Sequence, residues 1–124
     1  MKKNTILCVD DELDTLNALK FGLEGKGYNV LTADNGNSAL ELLKTETPDI
    51  IITDLRMSPM NGFELFQIVK KKERFAGVPF FFLTAVDDFL AQKYGQSLGV
   101  DAYITKPIDL DHFDSLIKQK LSIP

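Results

Sequence analysis

Short apolar runs alternate along this chain with stretches in which apolar residues recur every three or four positions. The first run is Thr5-Ile-Leu-Cys-Val9. Leu13, Leu16, Leu19 and Leu23 follow about one turn apart, which predicts a helix with these leucines turned inward. Gly25 and Gly27 end it, as glycine does at helix C-termini. A second run covers Tyr28 to Ala33, and Asn35-Gly36 then punctuates the chain. Ser38 to Lys44 carries Ala39, Leu40 and Leu43 on one helical face. Pro48 precedes the third run, Ile50-Ile51-Ile52. Gly62 opens a helical stretch with Leu65, Phe66 and Val69 facing inward. Val78 to Leu83 is the fourth run, in which Phe80-Phe81-Phe82 reads as strand core, and a polar-rich helix continues to about Leu98. Ala102-Tyr103-Ile104 is a short fifth run. A last helix over about Leu110 to Leu121 bears the stripe Phe113, Leu116, Ile117 and Leu121.

The pattern is a strand and a helix repeated about five times. Several runs are continuously apolar, as central parallel strands are when helices cover both faces. Right-handed crossovers then predict an α/β fold: a doubly wound five-stranded parallel sheet, flavodoxin-like, in the order 2-1-3-4-5 with about five helices. The length of 124 residues suits one domain, 1–124, and 44% hydrophobic residues supply a core.

In open α/β sheets the ligand site lies at the carboxyl ends of the strands. The first strand ends in Asp10-Asp11-Glu12, the third in Asp54, the fourth in Thr84 and the fifth in Thr105-Lys106-Pro107. The topology gathers these carboxylates, one hydroxyl and one ammonium into a single crevice. Clustered carboxylates repel, so one stays protonated or a cation binds. Hard oxygen donors suit Mg²⁺, with Mn²⁺ as an alternative, and the lack of His or Cys in the set argues against zinc. A metal and an ammonium around one carboxylate make its oxygen a usable nucleophile and neutralise an arriving phosphoryl group.

Val9-Asp10-Asp11-Glu12, Thr53-Asp54-Leu55-Arg56-Met57, Met60-Asn61-Gly62, Leu83-Thr84-Ala85 and Ala102-Tyr103-Ile104-Thr105-Lys106-Pro107 together resemble the receiver domains of bacterial response regulators, the chemotaxis regulators among them. The resemblance covers nearly the whole chain. It implies Asp54 as phosphoacceptor. Asp11, Asp54 and the backbone carbonyl of Arg56 would bind Mg²⁺ directly, with Asp10 assisting through water. It implies Thr84 and Tyr103 as a switch pair, Lys106 as the phosphoryl contact, and a cis peptide before Pro107. The implied partners are a sensor histidine kinase or phosphotransfer protein, and a second copy or output domain on the face of the fourth helix, fifth strand and fifth helix. Self-phosphorylation and dephosphorylation would be Mg²⁺-dependent, without enzymatic turnover of a separate substrate. The pattern departs from the family at Ser58-Pro59, where proline usually follows the methionine directly, and at Ile108, where phenylalanine is frequent. The path of the loop after Asp54 is therefore expected to differ. Arg56 and Val86 would flank the path of an attacking water. Neither can take its proton, which predicts a long-lived phosphoryl form with Arg56 covering it.

Each of these residues has an ordinary reading. Asp10, Asp11, Asp54 and Thr84 taken singly are helix caps or turns, and Lys106 a solvated charge; only convergence makes them a site. Tyr103 is equally a strand aromatic or a moving switch. Lys70-Lys71-Lys72 reads as a solvated helix end, His112 as a surface residue, and Cys8 as a small buried hydrophobe. A single cysteine excludes an internal disulfide. A net charge of -4 argues against nucleic-acid binding, and the chain has no apolar run of membrane length and no leader-like start. A cytoplasmic setting without an output domain in this chain is the expectation. A phosphatase would want Asp-x-Asp after the first strand, and a flavin module a hydroxyl- and glycine-rich loop there. No nucleotide-binding glycine motif is present. A receiver-like interaction module without phosphorylation is the remaining alternative.

Overall fold

The computed structural model describes residues 3–85 and 88–123. Five strands, β1 (Thr5–Val9), β2 (Asn29–Ala33), β3 (Ile50–Asp54), β4 (Phe80–Ala85) and β5 (Ala102–Lys106), form one parallel sheet in the order β2-β1-β3-β4-β5. Five helices, α1 (Leu13–Gly25), α2 (Gly36–Leu42), α3 (Gly62–Lys70), α4 (Phe89–Leu98) and α5 (Leu110–Leu121), make the connections. This is the predicted doubly wound α/β architecture. No described helix is long and apolar enough to cross a membrane.

The sheet divides the core in two. Leu16, Leu19 and Leu23 of α1 and Phe113 and Ile117 of α5 pack on one face, with Ile6, Cys8, Ile52 and Phe81. Helices α2, α3 and α4 pack on the other through Ala39, Leu65, Phe66, Val69 and Ala91, with Leu7, Ile51, Phe80 and Phe82. Strand side chains alternate between faces, so Phe80-Phe81-Phe82 sends two rings one way and one the other. All three are fully buried, each burial being worth about 1.5–3 kcal/mol. Phe66 meets Phe80 and Phe82 edge-on, with centroids 5.1 and 5.8 Å apart.

Local chemistry sets the helix boundaries. Asn35 caps α2 by accepting from the Ser38 N–H at 2.8 Å, so the helix starts at Gly36, two residues before the predicted Ser38. Asn61 and Glu64 form a reciprocal capping box on α3. Gly99 closes α4 at φ +76, the left-handed conformation glycine adopts without strain.

Three expectations change. Leu13 is 62% exposed, because it opens the first turn of α1, where no other element covers it. A short 3₁₀ helix, Glu73–Phe75, unseen in the sequence pattern, buries Phe75. Lys70 does not end in solvent: its ammonium donates to the Ala76 and Val78 carbonyls and lies 6.0 Å from the Phe80 ring centroid. Burial holds its pKa below the ordinary lysine value. Lys71, Lys72 and His112 are exposed as expected.

Candidate functional site

Register brings the predicted residues to one edge of the sheet. Val9 pairs with Thr53, so the next residues, Asp10 and Asp54, stand side by side at the carboxyl ends of β1 and β3. Thr84 and Ala85 pair with Thr105 and Lys106. Thr84 is buried, and so are Asp10 and Asp54, an unusual state for carboxylates without a dedicated partner. The partner is Lys106. Its Nζ lies 3.0 Å from Glu12 Oε1, 3.1 Å from Asp10 Oδ2 and 3.6 Å from Asp54 Oδ2.

One ammonium cannot satisfy three carboxylates. Asp10 Oδ1 accepts from the Glu12 N–H at 2.9 Å. Asp10 Oδ2 is near Lys106 but at an angle that makes an ion pair without a hydrogen bond, and it is a buried oxygen with no donor. Oxygens from Asp10, Glu12 and Asp54 all lie within 4.8 Å of one another. An orphaned buried oxygen inside an all-oxygen cluster is a fitting place for a hard divalent cation.

The electrostatics follow. Burial, then the neighbouring Asp10 charge, pushes the Asp54 carboxyl from 3.8 up to about 6, against the pull of Lys106 and the Arg56 N–H. Asp10 is also pushed up by burial, partly offset by the Glu12 N–H and Lys106. Burial disfavours the Lys106 ammonium, but Glu12, Asp10 and Asp54 outweigh it and hold its pKa above the ordinary lysine value.

The loop after Asp54 turns back tightly. The Gly62 N–H donates to the Leu55 carbonyl at 3.0 Å, and a Cβ at residue 62 would stand 2.4 Å from the Asp54 carbonyl oxygen. Only glycine allows that approach. The Ser58-Pro59 and Lys106-Pro107 peptides are both cis. Arg56, leaving the same loop, bonds Asp88 through Nε and Nη2, each at 2.9 Å. Asp88 caps α4. Tyr103 lies half-buried beneath α4, its hydroxyl donating to the Ala91 carbonyl at 3.4 Å and its ring 5.9 Å from that of Phe82.

A family model for the response regulator receiver domain matches residues 6–118. The chain belongs to this family. Solved structures agree with the assignment. A Chloroflexus aurantiacus protein assigned to the response regulators is 30% identical, with a TM-score of 0.92 over 98% of this chain and 99% of that one. The signal receiver domain of a signal transduction histidine kinase from Syntrophus aciditrophicus is 32% identical, at 0.88 over 96% and 90%. A chemotaxis response regulator of Vibrio cholerae is 26% identical, at 0.84 over 99% and 100%.

In this receiver domain Asp10, Asp54 and Lys106 meet in the predicted crevice, and Thr84 is buried at the carboxyl end of β4, one residue beyond Leu83, the strand partner of Asp54. The Thr84 hydroxyl donates to the Ala85 carbonyl at 3.3 Å. Asp11 is exposed and stands outside the close carboxylate group, lining instead a cavity of about 340 Å³ with Leu55, Arg56, Met57, Ser58, Asn61 and Phe63. Glu12, expected in the crevice but given no metal or catalytic role, belongs to the group. The Glu12 N–H donates to Asp10 Oδ1, and this turn, which no spacing in the sequence marks, sets Glu12 beside Asp10. The Arg56 side chain turns to Asp88. Val86 lies outside the described residues.

Proposed function

We propose that this receiver domain is a phosphorylation switch that accepts a phosphoryl group on Asp54 in a Mg²⁺-dependent reaction. The observation that carries the reading is the buried Asp54 carboxylate, set between the Lys106 ammonium and an oxygen cluster containing the unsatisfied Asp10 Oδ2. An Asp54 carboxylate oxygen forms the new bond to phosphorus. The donor's P–N bond, from a phosphohistidine, or P–O bond, from acetyl phosphate, breaks, and its electron pair leaves with imidazole or acetate. Lys106 holds positive charge beside the Asp54 oxygen and meets the charge of the incoming group.

Asp10, Asp11, Asp54 and the Arg56 carbonyl would hold Mg²⁺, or Mn²⁺, with Glu12 within reach of the same group. The cation supplies charge neutralisation for the phosphoryl oxygens. Thr84 and Tyr103 are the switch pair: the Thr84 hydroxyl turns to a phosphoryl oxygen, and Tyr103 changes its place beneath α4. The donor is a sensor histidine kinase or phosphotransfer protein. The exposed Phe89, Leu90 and Tyr94 of α4 favour a partner, output domain or second copy on the face of α4, β5 and α5. The setting is cytoplasmic.

Incubation with acetyl phosphate and Mg²⁺ should add one phosphoryl mass to the intact protein. Asp54→Asn should abolish it, and so should chelation of the metal. Undiminished labelling of the variant would move the acceptor elsewhere, and unlabelled wild type would leave an interaction module.

A further inference from the structure

We infer that Arg56 and Asp88 form a latch that holds the guanidinium on α4 until a phosphoryl group competes for it, a reading that rests on Asp54 being the acceptor. Arg56 lies two residues beyond Asp54, on the loop that leaves the acceptor. Its two 2.9 Å bonds to Asp88 form the parallel fork that a guanidinium makes with a carboxylate. The arginine side chain is 73% exposed, so no packing obliges it to lie there; the carboxylate holds it. Asp88 is 14% exposed and has a second task. The oxygen that takes Arg56 Nη2 also accepts from the Ala91 N–H at 3.4 Å, capping α4.

The competition follows from charge. A phosphoryl group replaces about one negative charge by roughly 1.5 to 2 and offers three acceptor oxygens, any two of which can take the guanidinium fork. Drawing Arg56 toward them removes the counter-charge from Asp88 at the start of α4. The two ends of Ala91 are then addressed separately: its N–H by Asp88, and its carbonyl by the Tyr103 hydroxyl. The latch is thus a second connection between acceptor and α4, reaching Ala91 from the end opposite to Tyr103.

Asp88→Asn tests it, because asparagine caps a helix as well as aspartate but carries no charge for Arg56. Phosphoryl uptake from acetyl phosphate in Mg²⁺ buffer is followed by intact mass for wild type, Asp88→Asn, Arg56→Gln and the double variant. Freeing Arg56 should speed uptake by about three- to fivefold in Asp88→Asn, the range an exposed ion pair can supply. In the Arg56→Gln background the same Asp88→Asn change should have no further effect. Amide shifts of Leu90 to Lys93 in unphosphorylated Asp88→Asn should already lie part-way toward those of phosphorylated wild type. Equal acceleration in both backgrounds, or α4 shifts unmoved in Asp88→Asn, would overturn the latch while leaving the acceptor standing. Wild type that takes no phosphoryl group would overturn both.

Discussion

Asp54→Asn should make the metal-free receiver domain more stable at neutral pH. The side chain is 9% exposed, and its pKa of about 6 stands above the ordinary 3.8. A raised carboxyl pKa means that the folded state holds the proton more tightly than the unfolded chain. Stability from this group is therefore full below about pH 3.8 and falls as pH rises through about 6. At about 1.4 kcal/mol per pH unit the loss is at most about 3 kcal/mol, and water at the open mouth of the crevice lowers it, so about 1–2 kcal/mol is expected. Asparagine keeps the shape and removes the charge. Lys106 retains Asp10 and Glu12, so no buried cation is stranded. Urea unfolding at pH 7.5 without divalent ions should show the gain, equivalent to about 3–4 °C in Tm per kcal/mol at this size. The gain should vanish near pH 4, where wild type is protonated. Adding millimolar Mg²⁺ should stabilise wild type and much less the variant. A variant no more stable than wild type at pH 7.5 would refute the claim that charge repulsion and burial dominate at this position.

Gly62→Ala should destabilise the protein by about 1–3 kcal/mol in urea and slow phosphoryl uptake, since its Cβ would meet the Asp54 carbonyl oxygen at 2.4 Å. Gly95→Ala should displace Tyr103, whose hydroxyl lies 1.2 Å from the place of the new Cβ, and near-ultraviolet circular dichroism should register the change. Cys8, pushed up to about 12 chiefly by burial, should stay unreactive toward a disulfide reagent at pH 8 and react as one thiol in urea. Asn61→Ala should cost about 1 kcal/mol of stability through loss of the α3 capping box, again read in urea.

The layer order and the meeting of Asp10, Asp54 and Lys106 were legible because both follow from local signals. Unbroken apolar runs mark central strands, and strand ends mark the crevice. Features that depend on distant pairs were not legible. Arg56 and Asp88 are 32 residues apart, and a charged residue carries no sign of which opposite charge it will find. Lys70 looked like part of a solvated triplet because its acceptors, the Ala76 and Val78 carbonyls, exist only once the 3₁₀ turn has formed. The choice between Asp11 and Glu12 was not legible, because the turn into α1 decides it.

The three consecutive phenylalanines of β4 divide between the two cores, as the apolar runs of β1 and β3 do, so the cores meet across the sheet. The domain is therefore laminated. A rearrangement at α4 repacks the ply containing Phe82 and Tyr103, while the ply under α1 and α5 has Phe81 as its own anchor. The exposed positions of α1, Leu13 and Phe21 among them, can vary without touching the packing of Phe82 and Tyr103 on the opposite side. The sheet acts as a partition between two evolvable faces.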